Sequence, residues 1–490
     1  MIFNSVTYLF FFPAVVLIYF LLPHKFRNIW LLAASFLFYM NWNAAYGLLL
    51  LASIVITYTA SLLMQRAQTD AGRRAVMTAS LLLNLAALIW FKYSAFLIQN
   101  INAFLPGRSL KIPDILLPVG ISFYIFQALG YTLDVYFKRI LPEKNFFKYA
   151  LFVSFFPQLV AGPIERSKNL LPQFDVRHTF DTDRVRRGLL MMLWGLFMKM
   201  VIADKVALVV NRIFDNYLEY NGAEIILAAF LFSIQIYCDF GGYSYIAIGS
   251  ARVLGFTLMD NFRYPYLSGS IHEFWKRWHI SLTSWFTDYL YIPLGGNRKG
   301  KARKYINTMV VFLVSGLWHG ANWTYVLWGA INGVLMVAEE MLSGVRNRVL
   351  DFFKADRQRF SYRFFATLCT FLAVSFGFLF FRASSIGQAV GMLRQIKARP
   401  SAISLMGESW RRLAEAGGID GMEVFALAAA LLLLLLVDVL QKKGRDVAGL
   451  LFAQGKPFRW LVYLGLLGMI IVFGIYGNEY TQTAFIYFQF

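Results

Sequence analysis

The stretch VFLVSGLWHGANWTYVLWGA, residues 311–330, decides how the chain is read. It contains no charged residue, yet His319 stands in the middle of it. An imidazole in such a run is costly in hydrocarbon and marks a functional position by default. Ser315 precedes it by four residues and Asn322 follows by three, so the three share one face if the helix is continuous. Gly316 and Gly320, four apart, either let a second backbone approach closely or let the helix break beside the ring. The rest of the chain has the same character. Of its 490 residues 58% are hydrophobic, 18% aromatic and 15% charged, whereas a water-soluble domain carries about a quarter charged residues. The expected solvent is a bilayer. A helix needs about 20 apolar residues to cross it, and about a dozen windows approach that: 8–22, 29–42, 46–64, 75–97, 115–137, 188–210, 224–238 and beyond, 305–317, 323–338, 362–381, 422–440 and 460–476. The expected fold is an all-α polytopic membrane protein of about 11–12 transmembrane helices plus re-entrant or interfacial helices. All of residues 1–490 form one integral membrane domain in this reading, with the motif-bearing core at about 155–334.

Charge orders these windows. The chain has 47 basic and 27 acidic residues, a formal net charge of +20, and the excess falls in loops. Lys25 and Arg27, the Arg66–Arg74 group, the Lys138–Lys148 group, Arg298 to Lys304, and the Lys442–Arg459 group all lie in loops of one parity; the other parity carries few, Arg108 and Lys111 among them. Basic residues of short loops stay cytoplasmic, so both termini are expected outside. The tail 477–490 has no lysine or arginine. The exception is the stretch 382–420, with six basic and three acidic residues on the expected outer side; it is read as a solvated connector or a partner-facing segment. Residues 1–27 have no positive charge before the apolar run and no small-residue cleavage motif, so they read as a retained first span rather than a signal peptide. Two cysteines, Cys238 and Cys369, exclude a disulfide framework and a four-cysteine zinc site. A glycine-rich phosphate loop, an HExxH helix and a GxSxG elbow are absent, as is any repeat of 20 to 50 residues.

A second polar interruption is IHEFWKRWHISLTSWFTDY, residues 271–289. At 100° per residue, Ile271, Trp275, Trp278, Leu282, Trp285, Phe286 and Tyr289 form one stripe, and Glu273, Arg277, Ser284 and Asp288 lie roughly opposite. Such a helix lies at the membrane interface or re-enters between other helices. His272, Lys276 and His279 edge the tryptophan face and are placed to line a cavity. Two histidines seven apart suggest a metal only if a carboxylate or cysteine completes the set, and none does at helical spacing, so no metal site is expected. A histidine with a pKa near 6.5 can accept a proton from a hydroxyl and return it to a leaving group, the demand of acyl transfer. Exclusion of water by the membrane suppresses hydrolysis of an activated acyl donor.

The runs NFRYPYLSGSIHEFWKRWHISLTSWFTDYLYIPLGGNRKG (261–300) and VSGLWHGANWTYVLWGAINGV (314–334) resemble the core of the membrane-bound O-acyltransferase family, in its alginate O-acetylation branch. FFPQLVAGPIERSKNLLPQF (155–174) and IYCDFGGYSYIAIGSARVLGF (236–256) resemble the same branch. The resemblance places the near-invariant histidine of the family at His319 and its second motif histidine at His279. It implies a membrane pore in which a thioester enters from the cytoplasm and its acyl group leaves on an outer acceptor. It further implies acetyl-coenzyme A as donor substrate with no bound cofactor, a bacterial inner membrane location, and exopolysaccharide O-acetylation. The implied partners are membrane lipid, an extracytoplasmic acetyl-accepting SGNH hydrolase-like protein and a polysaccharide synthase or export complex, with no nucleic acid. In this reading His319 is the general base, or less simply an acyl-accepting nucleophile. His279 orients donor or acceptor or shares the proton, Asn322 and Ser315 fix the tautomer of His319, and Trp318 and Trp278 support the two rings. The run Arg298 to Lys304, with Arg298 and Lys299 foremost, is a candidate to receive polyanionic coenzyme A, although inner-leaflet attraction accounts for such charges equally. Asp239 and Glu165 are expected to be structural partners of arginines. The chain departs from the branch at Gly241, commonly serine, and Tyr245, commonly aspartate, which bears on acyl choice if those positions shape the donor channel. The alternatives are D-alanyl transfer to teichoic acid, a transporter, or a non-catalytic scaffold of a polysaccharide export complex.

Overall fold

A computed structural model of the chain describes residues 1–105, 110–160, 162–400, 411–412, 414–415 and 417–476. Arg108, the tail 477–490 and residues 401–410 of the expected outer loop lie outside the described residues. Every regular element among the described residues is helical. Among the described residues, six helices are long and apolar enough to cross a bilayer: Ala44–Arg66, Asp70–Phe104, Gly222–Leu254, Phe360–Arg382, Gly421–Lys442 and Lys456–Phe473. Trp323–Met341 and Ser343–Phe352, bent by 50° at their junction, make a seventh if counted as one span. The remaining windows are helices too, at Val6–Leu21, His24–Met40, Ile121–Tyr136, Thr182–Phe197 and Gly300–His319, but they are shorter or more polar. Ile121–Tyr136 is buried along nearly its whole length, so its surroundings are protein, and it does not need the composition of a lipid-facing span.

The described chain divides into two compact units, residues 1–192 with 243–260, and residues 193–242 with 261–490. In the first, the apolar helix Ala44–Arg66 carries Ser53, Thr57 and Ser61 one turn apart, all buried. Each hydroxyl finds a partner on a neighbouring helix: Ser53 Oγ lies 2.6 Å from Asn84 Oδ1, the Tyr149 hydroxyl 2.7 Å from Thr57 Oγ1, and the Tyr131 hydroxyl 3.2 Å from Ser61 Oγ. Small polar residues joining helices in this way are a common device of membrane bundles. Glu165, buried in the same unit, accepts from Asn169 Nδ2 at 2.8 Å and from the backbone amides of Arg166 and Met259 at 3.0 and 2.8 Å. Its carboxylate staples two chain segments through amide donors.

In the second unit, Gly300–His319 and Trp323–Met341 form an antiparallel hairpin whose closeness glycine permits. A methyl on Gly316 would lie 2.3 Å from the Tyr325 carbonyl oxygen, and one on Gly329 2.3 Å from that of Phe312. Asn322 caps the second helix, its Oδ1 accepting from Thr324 N at 3.1 Å. The stretch after Arg382 is only partly a connector, since Ile386–Ala398 is a helix with Ala389 and Met392 buried. Gln388 Nε2 donates to the Phe214 carbonyl at 2.6 Å and Gln395 Nε2 to that of Tyr220 at 3.0 Å. In the same unit Lys199, 1% exposed, reaches Asp204 Oδ1 at 2.7 Å and Asp239 Oδ1 at 2.5 Å. It lies in a wide π-type turn at Met198–Ala203, and a lysine thus pairs with Asp239, for which an arginine was expected.

Candidate functional site

Residues 271–289 do not form one continuous amphipathic helix. Ser270 Oγ accepts from Glu273 N at 3.0 Å and caps Ile271–Arg277; the helix then stops at Trp278. His279 adopts a left-handed conformation, φ 44° and ψ 53°, before Ile280–Phe286 begins. That backbone is strained for a residue with a Cβ and persists only where its surroundings impose it. Asn261 does so from 18 residues upstream. Its carbonyl accepts from Ile280 N at 2.9 Å, and its Oδ1 lies 3.0 Å from His279 Nδ1, 2.9 Å from Ser281 Oγ and 3.4 Å from Ser281 N. Asn261 and Ser281 are buried with the ring.

Periodicity places Ile271, Trp275, Trp278, Leu282, Trp285, Phe286 and Tyr289 on one face, and all seven are buried in spite of the break. Trp278 packs among Phe262, Phe274 and Phe378, at centroid distances of 5.0, 5.3 and 5.3 Å. It builds the wall behind His279.

His319 is the last residue of its helix, and Gly320 ends it with an extended backbone. The helix thus breaks beside the ring, and the close approach occurs as well, at Gly316. Because of the break, Asn322 does not share a face with His319: its amide is occupied with Thr324 N and with the Ser384 carbonyl, 3.0 Å away. His319 is oriented by the backbone carbonyl of Ser315, 2.6 Å from Nδ1.

The two imidazoles stand with centroids 6.3 Å apart and planes at 81°. Trp318 packs edge-on against both, at 5.9 Å from His279 and 5.0 Å from His319. Trp328 and Phe381 close the far side of His319 at 4.9 and 5.6 Å, and Phe240 meets His279 at 4.7 Å. A backbone carbonyl only accepts, so Nδ1 of His319 carries a proton and the basic lone pair of the neutral ring is at Nε2. The Asn261 oxygen, already accepting from a hydroxyl and an amide, imposes the same tautomer on His279. His279 lies outside the candidate spans, and burial, with the His319 ring as a smaller contributor, holds its imidazole well below the usual range. The ring is neutral.

Both histidines line a cavity of about 370 Å³. Its walls near them are Trp275, Leu282, Phe286, Phe312 and Ser315. Its other end is polar, with His272, Lys276, Lys304 and Glu340. The edge of His272, Lys276 and His279 read from the sequence therefore faces one cavity. Lys304 Nζ pairs with Glu340 Oε1 at 2.6 Å. Arg298 and Lys299 are exposed and do not line the cavity. Neither Gly241 nor Tyr245 lines it, and a side-chain carbon on Gly241 would meet the Met198 methyl at 3.3 Å. Sequence reasoning missed Asn261 and Glu340. The only advance sign of Asn261 was its place at the head of the 261–300 run.

The model of the membrane-bound O-acyltransferase family matches residues 35–381. A probable alginate O-acetylase, AlgI, of Pseudomonas putida is 39% identical over 80% of this chain and 79% of its own length. A peptidoglycan O-acetyltransferase of Helicobacter pylori is 33% identical over 80% of this chain and 79% of its own. A teichoic acid D-alanyltransferase of Bacillus subtilis is 25% identical over 54% and 68%.

Proposed function

The chain belongs to the membrane-bound O-acyltransferase family, and from that premise we propose that it moves an acetyl group from cytoplasmic acetyl-coenzyme A across the membrane to an extracytoplasmic hydroxyl acceptor in exopolysaccharide O-acetylation. It is an acyltransferase and a multi-pass membrane protein. One observation carries the finer reading: two imidazoles, each with Nδ1 held by an oxygen and its basic lone pair at Nε2, stand at the buried end of a cavity whose other end is charged.

Lys304 and His319 lie near opposite ends of one helix, about 22 Å apart along its axis at 1.5 Å per residue. The pantetheine arm of coenzyme A, an extended chain with two amides, reaches about 15–18 Å by the span of an extended peptide of similar length. A donor whose phosphates stay at the charged end thus brings its thioester most of the way to the histidines, within about 4–7 Å measured along that axis. His319 Nε2 takes the proton of the acceptor hydroxyl as its oxygen attacks the thioester carbonyl carbon. The C–S bond then breaks, the acetyl group stays on the acceptor oxygen, and the proton on Nε2 passes to the departing thiolate. A positioned base of this kind contributes about 10²- to 10⁴-fold. His279 orients the reacting carbonyl or hydroxyl from the opposite wall, and the aromatic rings around both histidines exclude water from the thioester.

Loop charge supports a cytoplasmic donor and outward termini in a bacterial inner membrane. The outer acceptor in this reading is an SGNH hydrolase-like carrier or the polymer itself, served by a polysaccharide synthase or export complex. Acetyl rather than D-alanyl transfer is favoured because the acetylating relatives match 80% of the chain and the D-alanyl one 54%.

The test is His319→Ala, purified in detergent and checked for wild-type thermal unfolding. Acetyl transfer from acetyl-coenzyme A to an outer carbohydrate or carrier hydroxyl is expected to fall by about 10²- to 10⁴-fold. Wild-type transfer by a folded variant would overturn the assignment.

A further inference from the structure

The polar end of the cavity contains one group that a simple anion-binding rim would lack. Lys276, His272 and Glu340 are exposed there and Lys304 is half-buried. They come from three helices, Ile271–Arg277, Gly300–His319 and Trp323–Met341. The Glu340 carboxylate is the acidic member of the lining, and it is spent on Lys304 at 2.6 Å. The two side chains are 41% and 32% exposed, so this pair is weak and exchanges readily for a stronger partner. A phosphate is such a partner, since it presents several charged acceptor oxygens to an ammonium. The neighbouring carboxylate Glu339 is occupied elsewhere: its Oε2 accepts from His272 N at 3.0 Å and its Oε1 faces Arg346 at 3.4 Å. Glu340 is therefore the carboxylate that competes for the rim's cations.

Resting on the acetyl-coenzyme A reading above, we propose that the Lys304–Glu340 pair is a charge filter for the donor: a phosphate of the donor displaces Glu340 from Lys304, with Lys276 as the second cation. Until that exchange the carboxylate neutralises Lys304 and repels anions, so compounds with a single weak charge gain little at the rim. A polyphosphorylated donor supplies enough charge to take both lysines. The filter acts at the mouth and leaves the chemistry at His279 and His319 untouched. Its signature is a carboxylate whose removal improves donor binding.

The experiment measures binding of coenzyme A and of pantetheine, which lacks phosphate, to the purified full-length protein in detergent micelles. Glu340→Gln is expected to tighten coenzyme A binding by about two- to fivefold, and Lys304→Gln and Lys276→Gln each to weaken it by a similar factor, the range of an exposed charge pair. Pantetheine binding is expected to be the same in all four proteins, and the coenzyme A effects to shrink in high salt. Weaker or unchanged coenzyme A binding in Glu340→Gln overturns the filter, as does an equal change for pantetheine. Wild-type protein that binds no coenzyme A overturns the donor reading and the filter with it; wild-type binding that the rim substitutions leave unaltered overturns the filter alone.

Discussion

Replacing Asn261 with alanine removes one oxygen and with it the geometry of His279. That oxygen lies 3.0 Å from His279 Nδ1 and 2.9 Å from Ser281 Oγ, and both residues are at most 1% exposed. Withdrawing the acceptor from a buried donor costs about 1–3 kcal/mol. Ser281 Oγ can rotate, whereas the His279 ring is clamped by Phe240, Phe262 and Trp318 at 4.7, 6.4 and 5.9 Å. The loss should therefore fall mainly on the histidine, at the upper half of that range. The left-handed backbone at His279 loses a support as well, since Ser281 N no longer has the same acceptor. Stability is thus expected to drop by about 2–3 kcal/mol, read as a lower thermal midpoint of the purified protein. Transfer is expected to drop further than binding, because a ring of undefined tautomer and tilt no longer presents Nε2. In Asn261→Asp the acceptor oxygen returns, and most of the stability with it. Wild-type turnover and thermal midpoint in Asn261→Ala would refute the assignment of His279 geometry to this side chain.

The unfolded chain binds a proton at His279 as pH falls below about 6.5, and the folded chain, with that ring held lower by burial, does not. Stability is consequently lost as pH drops beneath that value, and His279→Gln should flatten the acid limb of thermal unfolding; an unchanged slope would refute this. Gly316→Val sets a branched side chain against the Tyr325 carbonyl, where a methyl already lies at 2.3 Å. It should cost at least about 1–3 kcal/mol and lower the yield of folded protein, whereas normal yield and stability would mean the helices separate easily. Lys199→Met leaves the Asp204 and Asp239 carboxylates buried without their lysine, an expected loss of about 3–5 kcal/mol. Lys199→Met with both aspartates changed to asparagine should recover part of it, and a triple variant no better than the single one would sink the pairing argument.

Helices were the legible part of this chain, because long apolar windows leave little else to form. Every expected window contains a helix, including those too short or too polar to cross alone, although the 115–137 window is helical only from Ile121. The two histidines were legible for a related reason, as imidazoles stand out against hydrocarbon-like surroundings. The break at Trp278–His279 was not. The apolar stripe continues across it with helical period, so periodicity argued for continuity, and the residue that imposes the break is 18 positions away. Asn322 was misplaced by the same assumption of an unbroken helix, which Gly320 ends. The donor-side cations were read as the run Arg298 to Lys304, and of that run Lys304 lines the cavity whereas Arg298 and Lys299 do not. The cations lining the cavity are Lys276 and Lys304, and their convergence depends on how three helices pack.

The two imidazoles differ in how they would withstand evolutionary drift. The oxygen that orients His319 is main chain, the carbonyl of Ser315 one turn earlier, so it is present whatever side chain mutation installs at position 315. His279 relies on a side chain that can be lost in a single nucleotide-level accident. Lineages descended from this protein are thus free to vary the immediate neighbourhood of His319, while every viable descendant that keeps His279 at work must also keep Asn261 or invent a substitute for its oxygen.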